Sequence, residues 1–155
     1  MNSIYSRVSI RKFKNIPVQE EKIAEILNAG MQAPSAGNQQ PWEFYVVTNK
    51  EKIEELSKSH IYAGCAAGAP VVIVPVYRKT NLMFPQYAEI DLSIAHENMW
   101  LMTDSLGLGG VWMGIAPIQE RMDKVREILN IPKNFPITVI ILFLSFYLCP
   151  FTFYL

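Results

Sequence analysis

The stretch Ala33-Pro34-Ser35-Ala36-Gly37-Asn38-Gln39-Gln40-Pro41-Trp42 separates a helical pattern from a strand pattern. Two prolines bracket it and a glycine lets it bend, so its backbone has a defined shape. Four of its side chains supply uncharged hydrogen-bond donors and acceptors, namely Ser35, Asn38, Gln39 and Gln40. Such a loop suits a flat ligand with polar edges, although a helix-to-strand connection without a ligand would use the same residues. These ten residues alone leave both interpretations open.

The segments around this loop predict alternating helices and strands. Apolar residues at helical spacing predict a helix over residues 18–31, and alternation after Trp42 predicts a strand up to Thr48. Asn49 is placed to cap a short helix that reaches about His60. The apolar run at residues 70–77 predicts a strand buried on both faces.

The second half of the chain continues this pattern. A long, largely apolar helix is predicted over residues 89–106, with Gly107 as its C-terminal cap. Within it, His96 is expected to be partly buried and hydrogen-bonded, because no second metal ligand accompanies it. A glycine-rich segment at residues 107–115 leads into a short strand. A last helix follows over residues 118–130, and a strand over residues 136–141.

Composition limits the possible functions. The chain has 155 residues, enough for one domain, and its formal net charge is zero. A balanced charge argues against nucleic acid as a partner, because phosphate binding uses an excess of Lys and Arg. Cys65 and Cys149 are far apart and lack neighbouring His ligands, which argues against a disulfide framework or a zinc site. Without an apolar signal segment at the N-terminus, we expect a cytoplasmic protein.

Two further segments bear on function. In Arg7-Val8-Ser9-Ile10-Arg11-Lys12-Phe13, two guanidinium groups and a hydroxyl could converge on one phosphate, whether the segment is extended or helical. A surface segment with solvated charges is the simpler alternative. The glycine-rich segment matches neither a Rossmann nor a Walker motif. Because no nucleophile or paired-carboxylate motif is evident, an enzyme with this sequence would use the chemistry of a cofactor.

Taken together, these segments resemble the FMN-dependent nitroreductase family. The N-terminal segment resembles its Arg-x-Ser-x-Arg/Lys signature, and residues 33–42 resemble its Ala-Pro-Ser-x-x-Asn-x-Gln-Pro-Trp loop. Residues 91–114 resemble its central helix with the following Leu-Gly-Leu-Gly and short strand. The resemblance covers roughly residues 4–141. It implies an α+β fold, a three-layer α/β/α sandwich around a mixed, mainly antiparallel sheet.

The resemblance also implies a homodimer with FMN at the subunit interface, NADH or NADPH as electron donor, and a small-molecule acceptor. Arg7, Ser9 and Arg11 would meet the phosphate, ribityl chain or pyrimidine edge. The partner subunit would contribute Pro34, Ser35 and Ala36. Asn38 would either contact flavin or hold its own loop in shape. Main-chain groups of Met113 and Gly114 would lie near flavin N5.

The implied reaction is a ping-pong hydride transfer through flavin N5 to a nitroaromatic, a quinone or a related acceptor. No side chain is expected to act as catalytic acid or base, because the flavin carries the chemistry. Phe84 and Tyr87, in the loop before the long helix, are candidates to stack on the substrate.

The end of the chain departs from the family pattern. We expect a flavin-binding domain at residues 1–141 and an atypical apolar tail at residues 142–155, which has no glycine and no charge. A membrane anchor fits poorly, since the apolar stretch is shorter than the roughly 20 residues of a spanning helix. The tail would then be either a strand packed against a partner or the product of a changed reading frame, and we favour the changed frame. A changed frame would weaken the FMN site. The alternative function is therefore a flavin-binding protein with little or no turnover.

Overall fold

A computed structural model describes residues 3–132 and 140–144 of the chain. Its regular elements, in chain order, are the helices and strands α1 (Ser3–Ser6), α2 (Glu20–Met31), β1 (Trp42–Val47), α3 (Lys50–Ser57), β2 (Val71–Tyr77), α4 (Ala88–Ser105), β3 (Trp112–Gly114), α5 (Gln119–Leu129) and β4 (Ile140–Leu144). Short 3-10 turns lie at Ala36–Asn38, Ala63–Gly68 and Pro85–Tyr87. From α2 to β4 the predicted order of helices and strands is therefore confirmed, while α1 was not predicted.

Among the described residues, four strands form one sheet in the order β1-β2-β4-β3, and all neighbours in it are antiparallel. An isolated bridge between Ser9 and Gly110 adds a parallel pairing. Pro75 in β2 lies opposite Phe44 of β1, whereas the pairing of β2 with β4 ends at Ile73. A proline cannot donate to a ladder, so this position suits it.

Side chains of β2 alternate between two cores, as a strand buried on both faces requires. Val72, Val74 and Val76 pack in a cluster that includes α3 and α5 residues. Val71 and Ile73 pack in a second cluster with residues of α2 and α4. Helices thus cover both faces of the sheet. The predicted three-layer α+β architecture is confirmed.

Helix boundaries differ from the prediction by a few residues. The second helix begins at Glu20, two residues later than its apolar pattern, while Val18 is buried outside the helix. The third helix ends at Ser57 rather than near His60. The cap of α4 is as predicted: Gly107 has a φ of 72°, and the Leu108 amide donates to the Thr103 carbonyl at 3.0 Å.

Strand β4 crosses the boundary that the sequence suggested between domain and tail. Residues 142–144, assigned to the tail, pair with Val71–Ile73 of β2, and Leu142 also pairs with Trp112 of β3. The predicted strand residues 136–139 and the tail beyond residue 144 lie outside the described residues. Within the described residues, none of the helices has the length and apolar character needed to cross a membrane.

Candidate functional site

Residues 7–11, here called the N-terminal arm, lie beside the glycine-rich segment. Ser9 forms the parallel bridge to Gly110, and the Ile10 amide donates to the Gly110 carbonyl at 2.9 Å. The helix α1 ends at Ser6, before the arm begins. Of the two conformations that the sequence allowed, the arm therefore takes the non-helical one. This pairing brings the first and third sequence motifs together in space.

The two arginines of the arm have different surroundings. The Cζ atom of Arg7 lies 3.9 Å from the ring centroid of Trp100, and its Nε lies 3.8 Å from Oε1 of Glu97. Arg11 is exposed, as is Ser9, and neither side chain has a hydrogen bond or an ion pair among the described residues. The arm thus has one guanidinium held against α4 and a second open to solvent.

Residues 34–41, here called the proline loop, are held by several contacts. The Ala36 amide donates to Oδ1 of Asp91 at 3.0 Å, and the Gln40 amide donates to Oγ of Ser35 at 2.9 Å. Arg78 donates to the main-chain carbonyls of Gln39 and Gln40, at 2.5 and 2.8 Å. The loop is therefore held by its own Ser35 hydroxyl, by Asp91 of α4 and by Arg78 in the segment after β2.

Asn38 takes a left-handed conformation, with a φ of 55°, which Asn tolerates better than most residues. Its side chain is exposed and makes no hydrogen bond among the described residues. Ser35 instead supplies the side-chain contact within the loop. Of the two roles open for the Asn38 amide, the structure gives no support to holding the loop in shape, while a ligand contact stays a prediction.

Phe84 and Tyr87 lie next to the proline loop, in what we call the aromatic turn (residues 84–87). Their rings form a T-shaped pair with centroids 6.4 Å apart. A Cβ atom placed on Gly37, whose φ is +57°, would lie 2.8 Å from Cε2 of Phe84. Glycine is thus required at this position, both for its conformation and for the approach of the ring. The structure brings the candidate substrate residues to the candidate cofactor loop.

Met113 and Gly114 belong to β3, which has a strand neighbour on one side only within the described sheet. The Met113 side chain is buried, so only its main chain can meet a ligand. Gly114 is exposed, and a Cβ atom there would meet nothing within 4 Å. Its carbonyl accepts from Nη1 of Arg121 at 3.2 Å. This edge offers main-chain groups and space for a flat group.

Within one chain, the candidate residues form two groups, the proline loop with the aromatic turn and the arm with β3, and the loop and the arm contact the same helix. The proline loop meets α4 at Asp91, whereas the arm meets it at Glu97 and Trp100. At 1.5 Å per residue, Asp91 and Trp100 are about 14 Å apart along the axis. Among the described residues, no hydrogen bond or ion pair joins the arm or β3 to the proline loop or the aromatic turn.

His96 corrects an expectation from the sequence. It is completely buried rather than partly buried, and within the described residues neither ring nitrogen has a hydrogen-bond partner. Its ring lies against Trp112, with centroids 4.3 Å apart. Burial lowers the pKa of His96 from 6.5 to about 3, so the ring is neutral. No group of three or more His, Cys, Asp and Glu side chains within residues 3–132 and 140–144 could hold a metal ion.

Several residues that shape the site were not identified from the sequence. They make the contacts described above to the arm, to the proline loop or to β3: Arg78, Asp91, Glu97, Trp100 and Arg121. One signal was available, since Asp91 is an acidic residue on the otherwise apolar part of a helix that was predicted to be central. Arg78, Glu97 and Trp100 act through contacts between distant parts of the chain, which spacing does not reveal. Arg121 contacts a residue seven positions earlier, across a turn that no pattern in the sequence identified.

Comparison with known proteins places the chain in a family. A sequence model of the Nitroreductase family matches residues 4–61 and 54–143. A relative from Methanothermobacter thermautotrophicus carries the provisional name NADH dehydrogenase/NAD(P)H nitroreductase. It is 38% identical over 141 residues, which cover 90% of this chain and 74% of the relative.

Solved structures agree with this result. An FMN-dependent nitroreductase from Clostridium difficile superposes with a TM-score of 0.89 at 29% identity, covering 99% of this chain and 90% of that one. A protein from Clostridium acetobutylicum, provisionally named an NADH oxidase, gives a TM-score of 0.89 at 39% identity, with 93% and 86% covered.

The fold and the matched residues thus define an oxidoreductase of the α+β class. The chain belongs to the nitroreductase family. The family and the enzyme class predicted from the sequence are confirmed.

Proposed function

We propose that this chain is an FMN-dependent NAD(P)H oxidoreductase whose acceptors are nitroaromatics, quinones or related small molecules. The proposal includes a homodimer that binds FMN between its subunits. It also includes a ping-pong cycle, in which oxidised nicotinamide leaves before the acceptor enters. FMN, when bound, supplies the two-electron chemistry, so the protein contributes binding and orientation rather than a side-chain acid or base.

The pairing of Ser9 with Gly110 is the observation that carries this proposal. It places the cationic arm beside the segment that leads directly into β3. Gly110 and Gly114 are at most about 13 Å apart at 3.3 Å per residue. One chain therefore offers cations for a phosphate beside Gly110 and exposed main-chain groups for a flat ring at Gly114, a short distance along the same segment.

The donors on this path fit the chemistry of FMN. Arg7, Ser9 and Arg11 would hold the phosphate, the ribityl chain or the pyrimidine edge, because guanidinium groups and hydroxyls match phosphate and carbonyl oxygens. Met113 and Gly114 would hold the ring near N5 through main-chain groups. The space beside Gly114 supports this assignment, since a side chain there would enter it.

The separation of the two groups on α4 supports a shared site. Pro34, Ser35, Ala36 and Asn38 of the proline loop would complete the pocket of the partner subunit rather than that of their own chain. Exposed apolar side chains on α4, Ile90 and Ile94, lie one helical turn apart on one face, which favours burial against a second copy. A two-fold dimer would bury the same face of both copies.

Phe84 and Tyr87 are proposed to stack on the acceptor. Both rings are at least partly accessible, and Phe84 packs beside Gly37 of the proline loop. A pair of edge-to-face rings presents an apolar surface of fixed orientation, which suits an aromatic acceptor better than an aliphatic one.

An absorption experiment tests the proposed function. The purified full-length chain is incubated with FMN, freed of unbound FMN, and titrated anaerobically with NADH or with NADPH. We expect bound flavin to lose its visible absorption and to recover it after a nitroaromatic or a quinone is added. The same sample, analysed by light scattering, is expected to have the mass of a dimer.

The outcomes separate the alternatives. Protein that retains FMN but is not bleached by either nicotinamide would support the flavin-binding alternative without turnover. Protein that takes up no FMN would contradict both. A monomer that binds FMN and turns over would contradict the shared site while leaving the enzymatic activity intact.

A further inference from the structure

We infer that Gln39 is a positioning residue that ties the proline loop to the aromatic turn and thereby fixes the orientation of Phe84 for the acceptor. Asp91 anchors this contact on α4. The inference rests on the proposed function, in which the loop faces flavin and Phe84 faces the acceptor. Gln39 occupies one of the unspecified positions of the loop motif, so the motif itself assigns it no role.

The side-chain amide of Gln39 engages both of its N–H donors and its carbonyl oxygen. Its Nε2 donates to the Phe84 carbonyl at 3.0 Å and to Oδ2 of Asp91 at 2.7 Å. Its Oε1 accepts from the Phe84 amide at 2.9 Å. A side-chain amide has two N–H donors and one carbonyl, and all are engaged. Gln39 thus pairs with both main-chain groups of Phe84, as a neighbouring strand would.

Asp91 holds the other side of this contact. Its carboxylate is 3% exposed, and its two oxygens accept from Gln39 and from the Ala36 amide. A carboxylate is costly to bury unless it is hydrogen-bonded, and its place in the first turn of α4 is favourable for a negative charge. The Asp91 side chain therefore fixes both the main chain and a side chain of the proline loop on one rigid helix.

The ring of Phe84 is located by the same contacts. Its main chain is held by Gln39, and its ring lies against Gly37 at the distance where a Cβ atom would clash. A shift of the loop backbone at Gly37 would therefore disturb the contact with the ring. In the proposed reaction, this contact sets the position of an aromatic acceptor relative to the flavin.

Loss of the Gln39 amide would leave two groups without a hydrogen-bond partner among the described residues: the part-buried Phe84 amide and a buried oxygen of Asp91. The Phe84 carbonyl would keep only the Tyr87 amide, at 3.0 Å. Unpaired buried groups favour rearrangements that expose them to water. We expect the aromatic turn to move away from the loop while α4 and the sheet stay in place. The effect on catalysis would fall on acceptors that need an oriented ring.

The test compares Gln39→Ala with Gln39→Glu, and with Gln32→Ala as a matched control, because Gln32 is an exposed residue outside the site. Hydrogen exchange is measured first, on protein without FMN. In Gln39→Ala we expect the Phe84 amide to exchange roughly tenfold faster than in the wild type, because its acceptor is gone. The control should exchange as the wild type does.

Steady-state kinetics with two acceptors form the second measurement. For a nitroaromatic acceptor, we expect Gln39→Ala to lower kcat/KM by about 10- to 100-fold, the scale of a small misplacement. With ferricyanide, an inorganic oxidant that needs no stacking ring, the same variant should keep the wild-type rate. A general loss of structure would lower both rates together.

Gln39→Glu gives a pH readout. The introduced carboxyl faces Asp91, and two buried acids raise each other's pKa. When protonated, it can accept from the Phe84 amide and donate one hydrogen bond. Relative to the wild type, its activity on the nitroaromatic should therefore recover as the pH is lowered, whereas that of Gln39→Ala should not.

Failures of the two proposals are distinguishable. A wild-type protein that takes up FMN but reduces neither acceptor overturns the proposed function. A wild type that turns over, with a Gln39→Ala variant that loses both acceptors equally, overturns the positioning role alone. Unchanged exchange of the Phe84 amide in Gln39→Ala overturns it as well, with or without FMN.

Discussion

The proline loop and the N-terminal arm dock on the same helix by different means. Gln39, Asp91 and Arg78 hold the loop through hydrogen bonds, most of them part-buried or buried. The arm is held by a bridge to Gly110 and by the contacts of Arg7, while its other cation, Arg11, is exposed. The loop is shaped before any ligand arrives, whereas the arm keeps charge available for one.

This difference matches the parts of a ligand that each region is proposed to meet. A flat ring is recognised by fixed surfaces, so rigidity in advance lowers the entropic cost of binding. A phosphate is recognised by charge, which acts over a distance and tolerates mobile side chains. Disruption of the loop should therefore reduce stability, and disruption of the arm should reduce ligand affinity.

The largest effect is expected at Asp91, the residue of α4 that holds the proline loop. Asp91→Ala leaves the Ala36 amide and one of the two side-chain N–H groups of Gln39 without an acceptor. Since each unpaired buried group costs about 1–3 kcal/mol, we expect the free energy of unfolding to fall by about 2–4 kcal/mol. Urea denaturation measures it.

The matched variant on the arm side is Asp104→Ala, which removes a half-buried acceptor of the Ser6 hydroxyl, at 2.6 Å. We expect a loss of about 0.5–1.5 kcal/mol. Equal losses in the two variants would contradict the contrast between a rigid loop and a loosely held arm.

His96 lies between Asp91 and Trp100 on α4, so its protonation tests the helix that both regions share. Burial keeps its pKa near 3, while the unfolded chain has the usual 6.5. Between pH 3 and pH 6.5, the unfolded chain therefore binds a proton at His96 that the folded chain does not. The free energy of unfolding should therefore fall as the pH falls from 6.5 towards 3, by up to about 1.4 kcal/mol per pH unit.

Replacement of the titrating ring isolates this contribution. In His96→Phe, the free energy of unfolding should fall less steeply with decreasing pH than in the wild type. The difference in slope should reach up to about 1.4 kcal/mol per pH unit, which corresponds to one bound proton. His60→Gln is the control, because the pKa of His60 is also lowered by burial and by Arg121, but its side chain is only half-buried. If His60→Gln changed the pH dependence of the free energy of unfolding more than His96→Phe did, His96 would not be the main group responsible for it.

On the arm, Arg11→Ala is expected to weaken FMN binding by about 10- to 150-fold, since a charge-assisted hydrogen bond contributes about 1.5–3 kcal/mol. The free energy of unfolding should change by less than about 0.5 kcal/mol, because the side chain is exposed. Lys12→Ala removes the same charge from the next residue. If Lys12→Ala weakens FMN binding as much as Arg11→Ala does, then the arm contributes to binding through its general charge rather than through a specific contact.

The smallest effects concern two hydroxyls. Ser35→Ala removes the acceptor of the Gln40 amide and should cost about 0.5–1 kcal/mol of stability. Ser9→Ala should leave stability unchanged, since the Ser9 hydroxyl has no hydrogen bond among the described residues. Thermal unfolding of the two variants measures this difference. A greater loss of stability in Ser9→Ala than in Ser35→Ala would contradict the view that the loop is held more firmly than the arm.

Local patterns account for what the sequence predicted well. The period of β2 and α4, the cap at Gly107 and the bend of the proline loop each depend on a few adjacent residues. The contact between Gln39 and Asp91 depends on two side chains 52 positions apart, so no local pattern contains it. The lack of a hydrogen-bond partner for His96 among the described residues depends on several elements that surround the ring, so a local pattern could not predict it.

The contacts of Gln39 also bear on the order of folding. They join residues 45 and 52 positions apart, to Phe84 and to Asp91. Because closing long segments of chain costs entropy before contacts repay it, we expect these bonds to form after α4 has docked on the sheet. Substitutions at Gln39 should then accelerate unfolding with little effect on the folding rate. The proposed acceptor side of the site would be the last part of the molecule to take its shape and the first to lose it.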